Sequence, residues 1–209
     1  MELVIVGAGK QAELINEYLT PNYSPIHYAV EHEYIHDGAE DLDEWLADGV
    51  ERRFYVAVTF SGLNTLRARL FQKCRAAGWF PISYVHPSCV IGGGGSIGRG
   101  VFACPLNNID PVVNIGNNVY FHSSNHIGHH STIHDNVFVS SGVTISGMCD
   151  IGENTFIGVN ACVAHGVKIG ARCIIGAGTY IRHDVPDDSI VKRKGDRSVE
   201  GMKSNEVEL

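Results

Sequence analysis

Residues 127–151 read IGHHSTIHDNVFVSSGVTISGMCDI, with Ile or Val at 127, 133, 139, 145 and 151. Stepping outward by six in both directions extends the series from Val85 to Ile181 without a break in register. Fifteen of its seventeen members are Ile or Val; Ala103 and Phe121 are the others. The residue that follows is Gly in eight of the seventeen hexads, at 92, 98, 116, 128, 152, 158, 170 and 176. Such self-similarity at a short fixed period marks a stacked repeat architecture. Each hexad is expected to form one short strand and a turn, with its first residue inward and glycine relaxing the backbone near the corner. Three hexads close a triangular coil of 18 residues. Coils stacked at about 4.8 Å pair strand to strand and fill the axis with an Ile/Val column. Residues 18 apart are then vertical neighbours. Asn107 stacks under Asn125 and is expected to build a structural amide ladder.

Ahead of the repeat the period changes. Glu2–Val6, His27–Val30, Phe54–Phe60 and Trp79–Val85 read as strands. Lys10–Leu19, Asp41–Ala47 and Asn64–Ala77 read as helices, the last with Leu66, Leu70 and Phe71 on one side. Strands alternating with helices predict a small parallel sheet of Rossmann-like type. The expected organisation is an α/β domain at 1–84, the repeat domain at 85–186 and a polar tail at 187–209, in which Lys192-Arg193-Lys194 is a local basic run.

Composition narrows the function. Of 209 residues, 44% are hydrophobic and 19% charged, and the net charge is −7. That balance lacks the basic footprint of a nucleic-acid binder. No apolar run approaches the roughly 18 residues of a membrane span. The opening MELVIVGAGK reads as a strand and a glycine turn, not as a signal peptide. The six cysteines have no CxxC spacing and read as reduced thiols of a cytoplasmic protein.

Five of the eleven histidines, 122, 126, 129, 130 and 134, fall within thirteen residues. One reading is a general base, since neutral imidazole removes protons near pH 7. The other is a metal site. The 129/134 spacing is similar to that of the zinc histidines in γ-class carbonic anhydrases, with His126 or His122 as a third ligand across a trimer interface. Stacking favours the base: Gly147 lies directly above His129 and would leave an N–H for a thioester oxygen. His165, two coils above, is expected about 10 Å away, too far to share a proton or a metal ion.

VIVGAG at the start, VAVTFSGLNTLR in the middle and NHIGHHSTI in the repeat together resemble the sialic acid O-acetyltransferase and bacillosamine N-acetyltransferase family of sugar acyltransferases. The likeness spans residues 1–191. It implies a left-handed parallel β-helix, acetyl-CoA as donor without a metal, and a nucleotide-linked amino sugar or a sialic acid as acceptor. It further implies a homotrimer with active sites between subunits, serving bacterial surface glycan synthesis. Through it the base maps onto His129. The family's acidic residue after that histidine is His130 here, and Asp110 is assigned its orienting role. The coenzyme is expected between subunits near Phe138, Gly147, Ala177 and Gly178. The first glycine turn, GAGKQA, fits a dinucleotide fingerprint with Ala12 at its third small position. In the family it holds the nucleotide, which implicates Gly7, Gly9, Lys10 and Gln11. Glu31 follows the second strand, where a carboxylate can meet ribose hydroxyls. Thr59, Ser61 and Asn64 end the third strand and enter the next helix, on the side where parallel sheets bind ligands.

Overall fold

The computed structural model of the chain describes residues 2–35 and 38–192. The basic run beyond Lys192 lies outside the described residues.

The N-terminal half alternates β1 (Leu3–Val6), α1 (Lys10–Leu19), β2 (Ile26–Val30), a 3₁₀ turn at His32–Tyr34, β3 (Glu40–Asp41), α2 (Leu42–Ala47), β4 (Arg53–Val56), α3 (Thr65–Ala76) and β5 (Phe80–Pro81). The strands form one parallel sheet in the order β3-β2-β1-β4-β5. β1 is buried on both faces, so its four residues are all apolar. Leu3 and Ile5 pack with Ala12, Ile15 and Leu19 of α1. Val4 and Val6 pack with Leu42 of α2 and Leu70, Phe71 and Cys74 of α3.

Two strands differ from the sequence expectation. The third stops at Val56, and residues 57–60 leave the sheet. The apolar run 79–85 is divided. Phe80–Pro81 pairs with the sheet edge, where proline's missing N–H is tolerated. Tyr84–Val85 instead pairs with Phe102–Ala103 and opens the repeat.

The repeat is a parallel β-solenoid of the left-handed β-helix type, with three faces of six, five and seven strands. Register is 18 residues throughout the middle: Ile109 pairs with Ile127, Ile127 with Ile145 and Ile145 with Val163. Ile127, Ile145 and Val163 are all 0% exposed, as the expected interior column requires. The register shortens only at the end, where Ile169 meets Val185 and Ile175 meets Val191, 16 residues on. The strand Ile190–Val191 therefore still stacks on the solenoid.

The glycines after the inward residue serve another purpose than expected. They are absent from the positive-φ residues; the left-handed conformation belongs two places later, at Asn118, His130, Asn136 and Met148. Glycine is needed there for close approach: a Cβ on Gly128 would stand 2.4 Å from the Gly147 nitrogen. The ladder of Asn107 and Asn125 is structural, and it runs through the backbone. Asn107 Oδ1 accepts from the Asn125 N–H (3.1 Å), and Asn125 Oδ1 accepts from that of Val143 (2.7 Å).

The halves join along one solenoid face. Phe102, Tyr120 and Phe138 form a vertical stack and share a core with α1, β1 and Tyr55. Arg67 of α3 is wholly buried at the adjoining corner. Its guanidinium donates to the carbonyls of Asn118, Asn136 and Val137. Burial pushes its pKa down to about 10, which leaves it charged at neutral pH. The charge is therefore met by carbonyl dipoles.

Candidate active site

The five clustered histidines separate once the chain is coiled, because a coil distributes thirteen residues over different faces. His122 is half-buried against Tyr120 and Phe138, and burial lowers its pKa. His126 lies on the first face, with its Nδ1 3.2 Å from Asn108 Nδ2 and its Nε2 3.8 Å from Asp110 Oδ2. His134, on the second face, hydrogen-bonds Asp150 at 2.8 Å. Only His129 and His130 share the edge between those faces.

At that edge the imidazole of His129 is exposed and leans over Gly147. A Cβ at 147 would come within 2.7 Å of both Cε1 and Nε2 of the ring. Gly147 N–H enters no backbone hydrogen bond among the described residues. His129 Nδ1 lies 3.1 Å from His130 Nδ1, with the rings nearly perpendicular at 85°. Two Nδ1 atoms at that distance need one proton between them. If His129 donates it, His129 Nε2 is a free base pointing up the edge. His130 is placed for this by its left-handed backbone, φ +57°, a region where histidine is more common than most residues.

Several expected site residues lie elsewhere. Asp110 faces His126 and not His129, since the second hexad position returns its side chain toward the strand that precedes the corner. Phe138 is 2% exposed, held between Tyr120 (4.9 Å) and Phe156 (5.6 Å), so it serves the joint between halves. Ala177 and Gly178 are exposed but occupy a different edge, above Val159; Gly178 N–H donates to the Val159 carbonyl at 2.8 Å. Five hexads separate Gly147 from Ala177, which is not a whole number of coils. His165 is nearer than expected. Its ring centroid stands 6.1 Å from that of His129, because the coil between them has only Gly147 at this position and the rings lean into the gap.

The second location is the carboxyl edge of the N-terminal sheet. A cavity of about 160 Å³ is lined by Val6, Gly7, Val30, Glu31, Tyr34, Val58, Leu66 and Leu70. It opens where the strand order reverses between β1 and β4, the usual crevice of such sheets. Gly7 has φ +124°, and a Cβ there would meet the Ala57 carbonyl at 3.0 Å, so the turn requires glycine. Gly9 is the N-cap of α1 and has open space around it. Lys10 pairs with Glu13 at 2.9 Å. Gln11 turns inward, with its Nε2 buried and without a partner. Thr59 is half-buried and Ser61 exposed on the loop after β4.

Asn64 leaves this group. It is 0% exposed and its Nδ2 donates to the carbonyls of Asn154 and Thr155, so it ties α3 to the solenoid. Glu31 is present but engaged: Arg69 grips both its oxygens at 2.6 Å and Lys73 adds a contact at 3.1 Å. The Arg69 hydrogen bonds hold the Glu31 carboxyl below the usual carboxylate range. Sequence reading passed over Arg69 and Lys73. Their spacing of four on one helix, a single face, was the available signal.

Among the described residues, no group of three or more His, Cys, Asp or Glu stands in a metal-holding arrangement, so the zinc alternative gains no support. No described helix is long and apolar enough to cross a membrane.

Residues 113–147 and 148–183 match the bacterial transferase hexapeptide (six repeats) model. Among curated proteins, none matches the chain by sequence. Among solved structures, perosamine N-acetyltransferase from Caulobacter crescentus, a variant in complex with CoA and GDP-perosamine, superposes with a TM-score of 0.82 at 26% identity, covering 94% of this chain and 98% of that one. The acetyltransferase domain of PglB from Neisseria gonorrhoeae gives 0.78 at 22% identity, with 90% and 96% covered. WeeI from Acinetobacter baumannii gives 0.73 at 16%, with 94% and 99% covered. The last two speak to the fold alone.

Proposed function

We propose that this chain, a hexapeptide-repeat sugar acyltransferase in both halves of its architecture, moves the acetyl group of acetyl-CoA onto the amino group of a nucleotide-linked amino sugar. The observation that carries the reading is the His129 corner. An exposed imidazole has its Nδ1 engaged by His130 and its Nε2 free, over a glycine that leaves room beside it. Support comes from the Caulobacter enzyme, solved with CoA and GDP-perosamine. Hydroxyl acceptors fit the same chemistry; the amine is preferred because that relative is an N-acetyltransferase.

His129 Nε2 takes the proton as the acceptor nitrogen attacks the thioester carbon. His130, accepting from His129 Nδ1–H, selects the tautomer that makes this possible and keeps that bond when the ring becomes cationic. The Gly147 N–H is the donor offered to the thioester oxygen. The nucleotide is held at the carboxyl edge of the sheet, by the Gly7–Gln11 turn and the cavity beside Glu31. Ala177 and Gly178 reach the coenzyme only from a neighbouring copy, since they sit on another edge of the same solenoid. A homotrimer supplies that edge. The cytoplasm is the compartment this reading assigns to the reaction.

The test is a set of nucleotide-linked amino sugars, GDP-perosamine among them, with acetyl-CoA and free thiol release as readout. His129→Ala should lower kcat by about 10²–10⁴-fold, the contribution of a general base, with acetyl-CoA affinity unchanged. His134→Ala should change kcat little, because its Nε2 is taken by Asp150 on another face. A His129→Ala rate within about threefold of the parent is far below that contribution and sinks the assignment.

A further inference from the structure

We infer that His165 is a second catalytic histidine, the general acid that protonates the sulfur of the departing thiol; this rests on the acetyl-transfer reading of the His129 corner. Three observations place it there. The ring centroids of His129 and His165 are 6.1 Å apart, although the residues lie two coils apart in the stack. On the coil between them the residue at the same hexad position is Gly147, which puts no side chain there, while Met148 stacks above His130. His129 Nδ1 is occupied by His130 at 3.1 Å, so its one free nitrogen is Nε2, on the edge that leans over Gly147 toward His165.

A group giving its proton to His129 Nε2 must lie about 3 Å from it. The carbonyl carbon that this group attacks, and the sulfur bonded to that carbon, then fall within one or two bonds of the acceptor atom. His165 flanks that space from the next coil but one, and both rings are exposed, so both reach solvent protons. The two rings, 6.1 Å apart between centroids, stand side by side at one edge, close enough for a base and an acid to serve one reacting carbon.

The step balances. The acceptor nitrogen's lone pair forms the C–N bond, and the C–S bond breaks with its electron pair going to sulfur. The nitrogen's proton goes to His129 Nε2. The proton on imidazolium His165 goes to sulfur. Afterwards the proton on His129 returns to His165 through solvent water, so an amine and a thioester become an amide and a thiol with no net proton change.

The experiment compares two donors: acetyl-CoA, whose alkyl thiol needs a proton to leave well, and an acetyl thioester of an acidic aromatic thiol, which does not. With acetyl-CoA, His165→Ala should lose about 10²-fold in kcat/KM, the lower end of acid–base contributions. With the aryl thioester the loss should shrink to about threefold or less, since a good leaving group makes the acid unnecessary. His129→Ala should lose rate with both donors, because the acceptor's proton is the same. Equal losses for His165→Ala with both donors would mean a structural or binding role and overturn the proposal, as would no loss with acetyl-CoA. Thermal unfolding of His165→Asn, a second variant that keeps a polar side chain, should match the parent, and its donor dependence should follow that of the alanine variant. If His129→Ala is silent while His165→Ala is not, the base assignment has failed and not the acid.

Discussion

A methyl group at position 147 would stand 2.7 Å from two ring atoms of His129, so Gly147→Ala is expected to push the imidazole off its place. The backbone there does not need glycine for its own φ, and the coil should still stack. Rate should therefore fall by 10-fold or more, since misplacing a catalytic group by about 1 Å can cost about 10²-fold. Melting temperature should move little. Steady-state kinetics beside a thermal melt check both, and a parent-like kcat would show that the ring has other room. Position 130 works in the same way at a distance of one residue. The left-handed turn residue, most often Asn or Gly on the other coils, is here a histidine, and its Nδ1 faces that of His129.

At the scale of elements, the column Phe102–Tyr120–Phe138 belongs to the joint between halves. Phe138→Ala is expected to cost about 3–5 kcal/mol of stability, as large core truncations do. Acetyl-CoA affinity of the folded protein should be unchanged, because the ring is 2% exposed. Denaturant unfolding and a coenzyme titration separate the two, and a weakened coenzyme with intact stability would return Phe138 to the binding site. The ion cluster of Glu31, Arg69 and Lys73 ties the end of β2 to α3. Its hydrogen bonds lower the Glu31 pKa in the folded state. A carboxyl so shifted stabilises the fold above its unfolded value, roughly 4.3, and loses that contribution as pH falls through the folded value. Glu31→Gln should thus melt below the parent at pH 7 and approach it as the pH falls through the lowered folded value. Melting temperatures across that range decide it; a constant gap would mean that the carboxylate charge is not what matters.

For the whole molecule, the N-terminal half is a cover for one face of the solenoid. Removing residues 1–82 would uncover Phe102, Tyr120 and Phe138, each at most 2% exposed, along a continuous strip. It would also take Arg67 from the carbonyls of Asn118 and Asn136. Contiguous apolar patches of that kind drive association. The repeat half alone is expected to aggregate, and replacing the three aromatics with Thr should restore a discrete species in size-exclusion chromatography. A soluble, discrete repeat half without those replacements would show that the joint matters less than its burial implies.

The architecture was legible because a hexad period is a local property. Every Ile or Val of the series faces inward whatever lies outside, so register, coil length and stacking partners follow from counting. The placement of His129 beside Gly147 was legible for the same reason: it is simple addition of 18. Side-chain direction was not. Which way Asp110, Asn64 and Phe138 turn depends on what stands beside them in space, and that is another coil or the other half of the chain. The five histidines look like one cluster along the chain because the count ignores corners. Only coiling assigns them to faces, leaves His129 with His130, and lets His165 lean in across the gap that a single glycine opens.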